Sequence, residues 1–176
     1  MNSPRLLLLA ALGLAAVAVV SAFDPAKGLP RTEVVFFEPE KFTDVRDSSF
    51  GDSEKARDAT LGELRTYLIK QANRLLAPGQ QLKITVTDVD LAGEFEPWRG
   101  SQWNDVRIVK DIYPPDIKLA FQLTDAEGQV LKQGDRNLRD LGFMMKLSID
   151  RNDPLRYEKS LLDDWLREEF RGLKNK

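Results

Sequence analysis

The 176-residue chain carries 26 lysine and arginine residues against 28 acids, a formal net charge of −2, and it has no histidine and no cysteine. This balance gives no reason to expect nucleic acid or an anionic membrane surface as a partner. The absence of histidine and cysteine removes the usual general base near neutral pH, Ser-His and Cys-His nucleophiles, and disulfides. Metal sites are restricted to oxygen ligands and hard cations, and no cofactor is indicated.

Residues 1–22 have the pattern of a cleavable signal peptide. Arg5 supplies the positive charge, Leu6–Val20 is an uncharged apolar run, and Val20-Ser21-Ala22 provides the small residues that a signal peptidase recognises. The run is shorter than the roughly 20 residues of a membrane-spanning helix, and an uncleaved N-terminal anchor is the alternative. We therefore predict cleavage after Ala22 and a periplasmic or secreted protein, with residues 23–176 forming a single globular domain.

The first element predicted after the signal peptide is a short buried strand. Glu33–Phe37 is rich in β-branched and aromatic residues, and Pro39 ends it. The next segment, residues 41–52, is polar apart from Phe42 and Phe50. We expect an ordered connection whose two rings pack back on the body of the protein.

A long helix is predicted next, with Asp52 or Ser53 as its N-cap. Its apolar residues recur at intervals of three and four: Leu61, Leu64, Leu68, Ala72 and Leu75. Thr60–Glu63 also fits a capping box, so a later start or a kink near Gly62 is the alternative. Pro78-Gly79 ends the helix.

The second strand alternates apolar and polar residues and then changes phase. From Leu82 to Val86 every second residue is apolar, but beyond Asp88 the apolar residues are Val89 and Leu91. A shift of one residue within a strand predicts either a β-bulge or a strand that continues past the rim of the sheet.

A third and a fourth strand complete the predicted sheet. The third begins within Val106–Ile112, is interrupted by prolines, and resumes as Ile117–Leu123. Thr124–Gly128 is typical of a hairpin turn. The returning strand is Val130–Leu138, in which Gly134 marks a twist or a bulge.

The last predicted element is an amphipathic helix with Asp153 at the N-cap and Pro154 in the first turn. Its apolar stripe is broad: Leu155, Leu161, Leu162, Trp165, Leu166, Phe170 and Leu173. Trp165 is therefore predicted to be a core residue. Before the helix, Met144-Met145 is either core or an adaptable contact surface.

The predicted element order is β-α-β-β-β-α. Each amphipathic helix offers one apolar face, and an antiparallel sheet usually has one face to cover. We therefore predict an α+β two-layer sandwich, in which two helices pack on one face of a mostly antiparallel sheet of about four strands.

The acids after the second strand invite comparison with a calcium-binding EF-hand. Asp88, Asp90 and Gly93 fit the template, but Ala92 offers no side-chain oxygen and Arg99 stands where a closing glutamate is required. A strand also precedes the segment, where the motif needs a helix. An EF-hand is therefore rejected.

A looser divalent-cation site remains open at the acids of this segment: Asp88, Asp90, Glu94 and Glu96. Paired carboxylates are also compatible with a carboxylate-based hydrolase. The alternative is that these acids are solvated or paired with Arg99 or Arg107.

Phe95, Trp98 and Trp103 share one polar loop with Arg99 and Arg107. Aromatic and arginine side chains are over-represented in binding hot spots, so the loop is a candidate recognition surface. The alternative is a lid whose rings cap the core. The candidate binding residues are Asp88, Asp90, Glu94, Trp98, Arg99, Trp103 and Arg107.

Four segments resemble a family of exported proteobacterial proteins known as a domain of unknown function. They are FFEPEKFTDVRD (Phe36 to Asp47), TDVDLAGEFEPWRG (Thr87 to Gly100), DVRIVKDIYPP (Asp105 to Pro115) and LTDAEGQVLKQGDRNLRDLGF (Leu123 to Phe143). The likeness covers essentially all of residues 23–176. It implies a periplasmic single-domain protein with no assigned activity, cofactor or catalytic residue.

Three functions follow as hypotheses. The first is a non-enzymatic binding or envelope-accessory module, with another envelope protein as its suggested partner. Its contact surface would be Asp88–Arg107, with Met144-Met145 as an optional second part. The second is a carboxylate-based hydrolase or a divalent-cation-binding protein. The third is a structural subunit whose loop is a lid on its own core.

Overall fold

The computed structural model describes residues 31–46, 53–146 and 151–172. Within them the strands are β1 (Thr32–Phe36), β2 (Gln81–Asp90), β3 (Glu94–Phe95), β4 (Arg107–Ile108), β5 (Asp116–Thr124) and β6 (Val130–Arg139). The helices are α1 (Glu54–Asn73) and α2 (Arg156–Glu169). The short 3-10 helices are Pro39–Lys41, Pro97–Arg99, Ser101–Trp103 and Phe143–Met145.

Four strands of the described residues form one sheet in the order β1-β2-β5-β6. β1 lies parallel to β2, which follows it through α1, whereas β5 runs antiparallel to both β2 and β6. The predicted α+β class, with two helices against a mostly antiparallel four-stranded sheet, is confirmed. β3 and β4 pair with each other as a separate ribbon, which the sequence did not predict.

The helices cover one face of the sheet. Every second residue of β5 from Ile117 to Leu123 is buried, while Lys118 and Gln122 on the opposite face are exposed. α1 packs on β1 and on α2, and α2 packs on β6. The Trp165 ring is buried edge-on to Phe121, which confirms its predicted place in the core.

The predicted phase change in β2 is a β-bulge. Val86 pairs with Leu119 and Asp88 pairs with Lys118, so that Thr87 is the extra residue. Val89 is consequently buried on the same face as Val86. The bulge lets β2 continue to Asp90, where it reaches the acids of the candidate segment.

The start of α1 is confirmed, and that of α2 is corrected. Ser53 caps α1 by accepting a hydrogen bond from the Ala56 N–H at 3.3 Å, and the helix continues through Gly62. α2 begins only at Arg156. Asp153 is not its N-cap, because its carboxylate accepts the Leu155 N–H at 2.8 Å within a preceding turn.

Two strand predictions are also corrected. β1 ends at Phe36, and Phe37 is 56% exposed instead of buried, because Glu38 turns the chain with a left-handed φ of 51°. Gly134 pairs regularly opposite Phe121, and the register shift between β5 and β6 lies instead at Leu123/Thr124.

The extended segment predicted at Val106–Ile112 does not join the main sheet. Only Arg107 and Ile108 of it form a strand in the described structure, while Val106 and Ile112 are exposed. The third strand of the sheet is therefore β5 alone. Its alternating pattern after the prolines was the reliable part of that prediction.

Three remaining segments settle as follows. Phe42 packs against Phe36 as predicted. Met144 and Met145 are exposed, so the core alternative for this pair is wrong. The predicted signal peptide (residues 1–22), Phe50 and Leu173 lie outside the described residues.

Candidate functional site

Residues 94–113, which we call the aromatic loop, leave the end of β2 and return to the start of β5. β3 and β4 close its base, and the Gly93 N–H donates to the Tyr113 carbonyl at 3.0 Å. Gly93 has a φ of 87°, and a Cβ there would lie 2.9 Å from the Ile108 carbonyl oxygen. Glycine is needed at this position because the backbone is left-handed and the ribbon passes close by.

A buried carboxylate, Asp44, fixes one side of the base. The Arg107 guanidinium donates to both of its oxygens, at 2.9 and 3.2 Å, and Arg46 donates to Oδ1 at 3.0 Å. Arg107 also donates to the carbonyls of Gly93 and Arg46. Burial would raise the pKa of Asp44, but the hydrogen bonds from Arg107 and Arg46 lower it below its usual value.

Phe95 packs under these arginines. Its ring is buried, with the Arg107 guanidinium carbon 4.6 Å and that of Arg46 5.9 Å from the ring centroid. Glu94 accepts from Arg46 at 2.9 Å. Phe95 thus seals the base, as the lid alternative proposed for the rings of this loop.

A second buried carboxylate, Glu96, ties together the two arms of the loop. It accepts hydrogen bonds from Lys110, from Arg99 and, at 3.1 Å, from the Tyr113 hydroxyl. The hydrogen bond from Lys110, with those from Arg99 and Tyr113, outweighs desolvation and lowers the pKa of Glu96 to about 2. Glu96 therefore stays ionised and holds its three donors across the loop.

The tip of the aromatic loop shows the opposite character. Trp98 is 72% exposed and Trp103 is 39% exposed, and Val106 and Ile112 also face solvent. Arg99, next to Trp98, is paired with Glu96. Large apolar side chains are therefore displayed on a loop whose base is held by buried ion pairs.

The two acids of β2, Asp88 and Asp90, lie in different electrostatic environments. Asp88 accepts from Lys118 at 2.8 Å and from the backbone N–H and hydroxyl of Thr43. Asp90 is half-buried opposite Asp116, and burial together with the negative charges of Asp44 and Asp116 raises its pKa to about 6.

The predicted acids do not converge on a metal site. Within the described residues, no group of three or more candidate ligands is placed to hold a metal ion. Asp88 and Glu94 are instead engaged with Lys118 and Arg46. The arrangement matches the alternative in which these acids pair with basic side chains, with Arg107 bound to Asp44 and Arg99 to Glu96.

Sequence reasoning missed four partners that complete the site: Asp44, Arg46, Lys110 and Glu158. Asp44 and Arg107 are 63 residues apart, and Glu158 and Ala92 are 66 apart. Local periodicity carries no information on such pairs. A weak signal was the sequence TDVRD, in which Asp44 and Arg46 stand beside a buried aromatic residue.

Among the described residues, neither helix has the length and hydropathy that crossing a bilayer requires.

Comparisons with known proteins place the chain in a family. A search of curated proteins and a search of solved structures found no significant match. Residues 30–168 match the family described as "Protein of unknown function (DUF3016)". Because the match covers most of its length, this chain belongs to the DUF3016 family.

Proposed function

We propose that this protein is an exported, non-enzymatic binding module whose contact surface is the tip of the aromatic loop. One observation carries the proposal: Trp98 is 72% exposed on a loop whose base is fixed by the buried carboxylates Asp44 and Glu96. The partner proposed is another protein of the envelope.

The exposure of the three large rings of the aromatic loop distinguishes a binding surface from a lid on the core. Phe95 is buried and already closes the end of the core, whereas Trp98 and Trp103 leave most or part of their surface in water. Tryptophan and tyrosine bury roughly 150–250 Å² when a partner covers them, and truncating such an anchor costs about 2 kcal/mol or more. The two exposed tryptophan rings therefore contribute little to the stability of the fold, but they can contribute to the affinity for a partner.

Fixing the base favours this use of the tip. Ordering a flexible loop on binding opposes association, so a loop that is already held loses less entropy. Here the hydrogen bonds of Arg107 and Glu96 hold the ribbon and the two arms. The base of the loop is thus already held before a partner binds the tip.

The test is affinity capture from a periplasmic extract with the immobilised protein. Trp98→Ala and Trp103→Ala are compared with Phe37→Ala, which removes an exposed ring outside the loop. We expect wild type and Phe37→Ala to retain the same partner, and each loop variant to retain it with an affinity reduced about tenfold or more. If both loop variants retain the partner as wild type does, the aromatic loop is not the contact surface.

The export part of the proposal is supported by the pattern of residues 1–22. N-terminal sequencing of the protein from a periplasmic fraction should begin at Phe23. A protein that keeps residues 1–22 and sediments with the membrane would instead support the uncleaved anchor.

A further inference from the structure

Three acids lie side by side at the neck of the aromatic loop, which we define as the end of β2 and the start of β5. Asp90, the last residue of β2, pairs with Asp116, the first residue of β5. On the other side of Asp90, the backbone of Asp44 forms a parallel β-bridge with it. Directly opposite residues of an antiparallel pair share one face of the sheet, with Cβ atoms about 4.5–5.5 Å apart. Asp90 therefore has an acid on each side, at the point where the loop leaves the sheet.

Asp90 differs from its two neighbours in having no cation. The Asp44 carboxylate is paired with two arginines, and the Asp116 carboxylate lies 4.0 Å from Nη1 of Arg139. Within the described residues, the side chain of Asp90 accepts no hydrogen bond and forms no ion pair. Its negative charge is therefore not compensated by a direct contact.

The other charged groups around Asp90 do not supply that compensation. They are two ion pairs, Glu94 with Arg46 and Asp88 with Lys118. Burial, followed by the negative charges of the four neighbouring acids, raises the pKa of Asp90 to about 6. Asp90 thus takes up a proton in mildly acidic solution and is ionised at neutral pH.

Asp116 is the neighbour best placed to share that proton. The oxygens of Asp44 already accept hydrogen bonds from Arg107 and Arg46 at 2.9 to 3.2 Å. Asp116 has only the long contact with Arg139. A protonated carboxyl carries one O–H donor, and an ionised carboxylate opposite it is an acceptor. A proton on Asp90 can therefore be donated across the β2–β5 pair.

We propose that Asp90 and Asp116 form a pH-sensitive switch at the neck of the aromatic loop. One proton shared by the two carboxylates holds the ends of β2 and β5 together. Its release leaves like charges directly opposite each other, which destabilises a strand pair. The inference is independent of the proposed contact surface, because the switch acts whether or not a partner is bound at the tip.

The effect of the switch reaches the base of the loop through a neighbouring hydrogen bond. Beyond Asp90, the Gly93 N–H donates to the Tyr113 carbonyl at 3.0 Å and closes the base. Loosening the ends of β2 and β5 makes this hydrogen bond open more often. Mild acid therefore tightens the base that carries the exposed Trp98, and neutral pH loosens it.

Amide hydrogen exchange of the full chain tests the switch, with each rate divided by the intrinsic rate at the same pH. Opening the neck returns Asp90 to its ordinary pKa of 3.8. The protection of the Gly93 amide should therefore fall about tenfold when the pH rises from about 5 to about 7.5. Asp90→Asn is neutral at both pH values and should keep the same protection at both. The Gly128 amide, bonded to the Asp125 carbonyl in the β5–β6 turn, should not change in any of these samples.

Asp116→Asn tests whether Asp116 shares the proton. Carbon-13 NMR of the side-chain carboxyls in wild type should show Asp90 and Asp116 titrating together in two steps. In Asp116→Asn the titration midpoint of Asp90 should fall, and the tenfold change in Gly93 protection should shrink to about threefold or less. Glu127→Gln, in the exposed β5–β6 turn, removes one negative charge far from the neck and should behave as wild type.

Three results would overturn the proposal. Equal protection of Gly93 at the two pH values in wild type would show that no proton holds the neck. The same pH dependence in Asp90→Asn as in wild type would place the titrating group elsewhere. An unchanged Asp90 midpoint in Asp116→Asn would show that the two carboxylates do not share a proton.

Discussion

Replacing Arg107 with lysine keeps the positive charge at the base of the aromatic loop but removes the guanidinium fork. The fork donates to both oxygens of Asp44 and to the carbonyls of Gly93 and Arg46, at distances from 2.9 to 3.2 Å. A lysine ammonium is a single point donor and cannot reproduce this planar set. Arg107→Lys should therefore loosen the base without changing the net charge.

The size of the effect follows from burial. Asp44 is 3% exposed and the Arg107 side chain is 19% exposed, so the pair is shielded from water. Losing one or two buried charge-assisted hydrogen bonds costs about 2–4 kcal/mol. Arg107→Ala also removes one of the two arginine charges that pair with the buried Asp44 carboxylate, and it should cost about 3–5 kcal/mol. Both values are large against a typical stability of about 5–15 kcal/mol.

Urea unfolding at neutral pH measures these changes. Arg139→Lys is the matched control, because Arg139 is 57% exposed and its pair with Asp116 is long, at 4.0 Å; its effect should stay within about 0.5 kcal/mol. Hydrogen exchange at the Gly93 amide should speed up in Arg107→Lys and not in Arg139→Lys. If both lysine variants unfold at the wild-type urea concentration, the Asp44–Arg107 pair does not hold the loop.

Three other changes probe the same region. Asp90→Asn should stabilise the protein by roughly 1–2 kcal/mol at neutral pH, allowing for solvent screening. The reason is that the pKa of Asp90 is raised to about 6 in the folded protein. In urea titrations, the stability of wild type relative to the variant should therefore decrease as the pH rises from about 4 to 6. Ionised Glu96 should stabilise wild type above the usual glutamate pKa, and this contribution should be lost as the pH falls toward 2. Glu96→Gln lacks the contribution at every pH, so its stability should depend less on pH in acid unfolding. Gly93→Ala should lower the melting temperature more than Gly128→Ala, because both have positive φ but only at Gly93 would the Cβ meet the Ile108 carbonyl; equal losses would contradict the close approach.

Local patterns in the sequence were sufficient for most of the fold. The leucine spacing and the Ser53 cap predicted α1, and the phase change at Asp88 predicted the β2 bulge. These features depend on residues close together in the chain, where periodicity reports which face is buried. The same pattern failed at Val106 and Ile112, whose side chains face solvent in a loop.

The site was less predictable for a physical reason. Its residues are brought together by pairings between distant segments. For example, the backbone of Asp44 forms a β-bridge with Asp90 at the end of β2, and this places the Asp44 side chain next to Arg107. A sequence shows that acids and arginines are present, but not which pair is buried. The opposite fates of Phe95 and Trp98 likewise depend on the turn at Pro97, after which the chain leaves the core.

The central claim is that the aromatic loop has a fixed base and an exposed tryptophan tip. Acrylamide quenching tests this directly, because the chain has three tryptophans that Trp98→Phe, Trp103→Phe and Trp165→Phe remove one at a time. With exposures of 72%, 39% and 5%, the emission lost with Trp98 should be the most readily quenched, that lost with Trp103 intermediate, and that lost with Trp165 the most shielded. If Trp98 is shielded as strongly as Trp165, the loop is a lid on the core and the proposed contact surface is wrong.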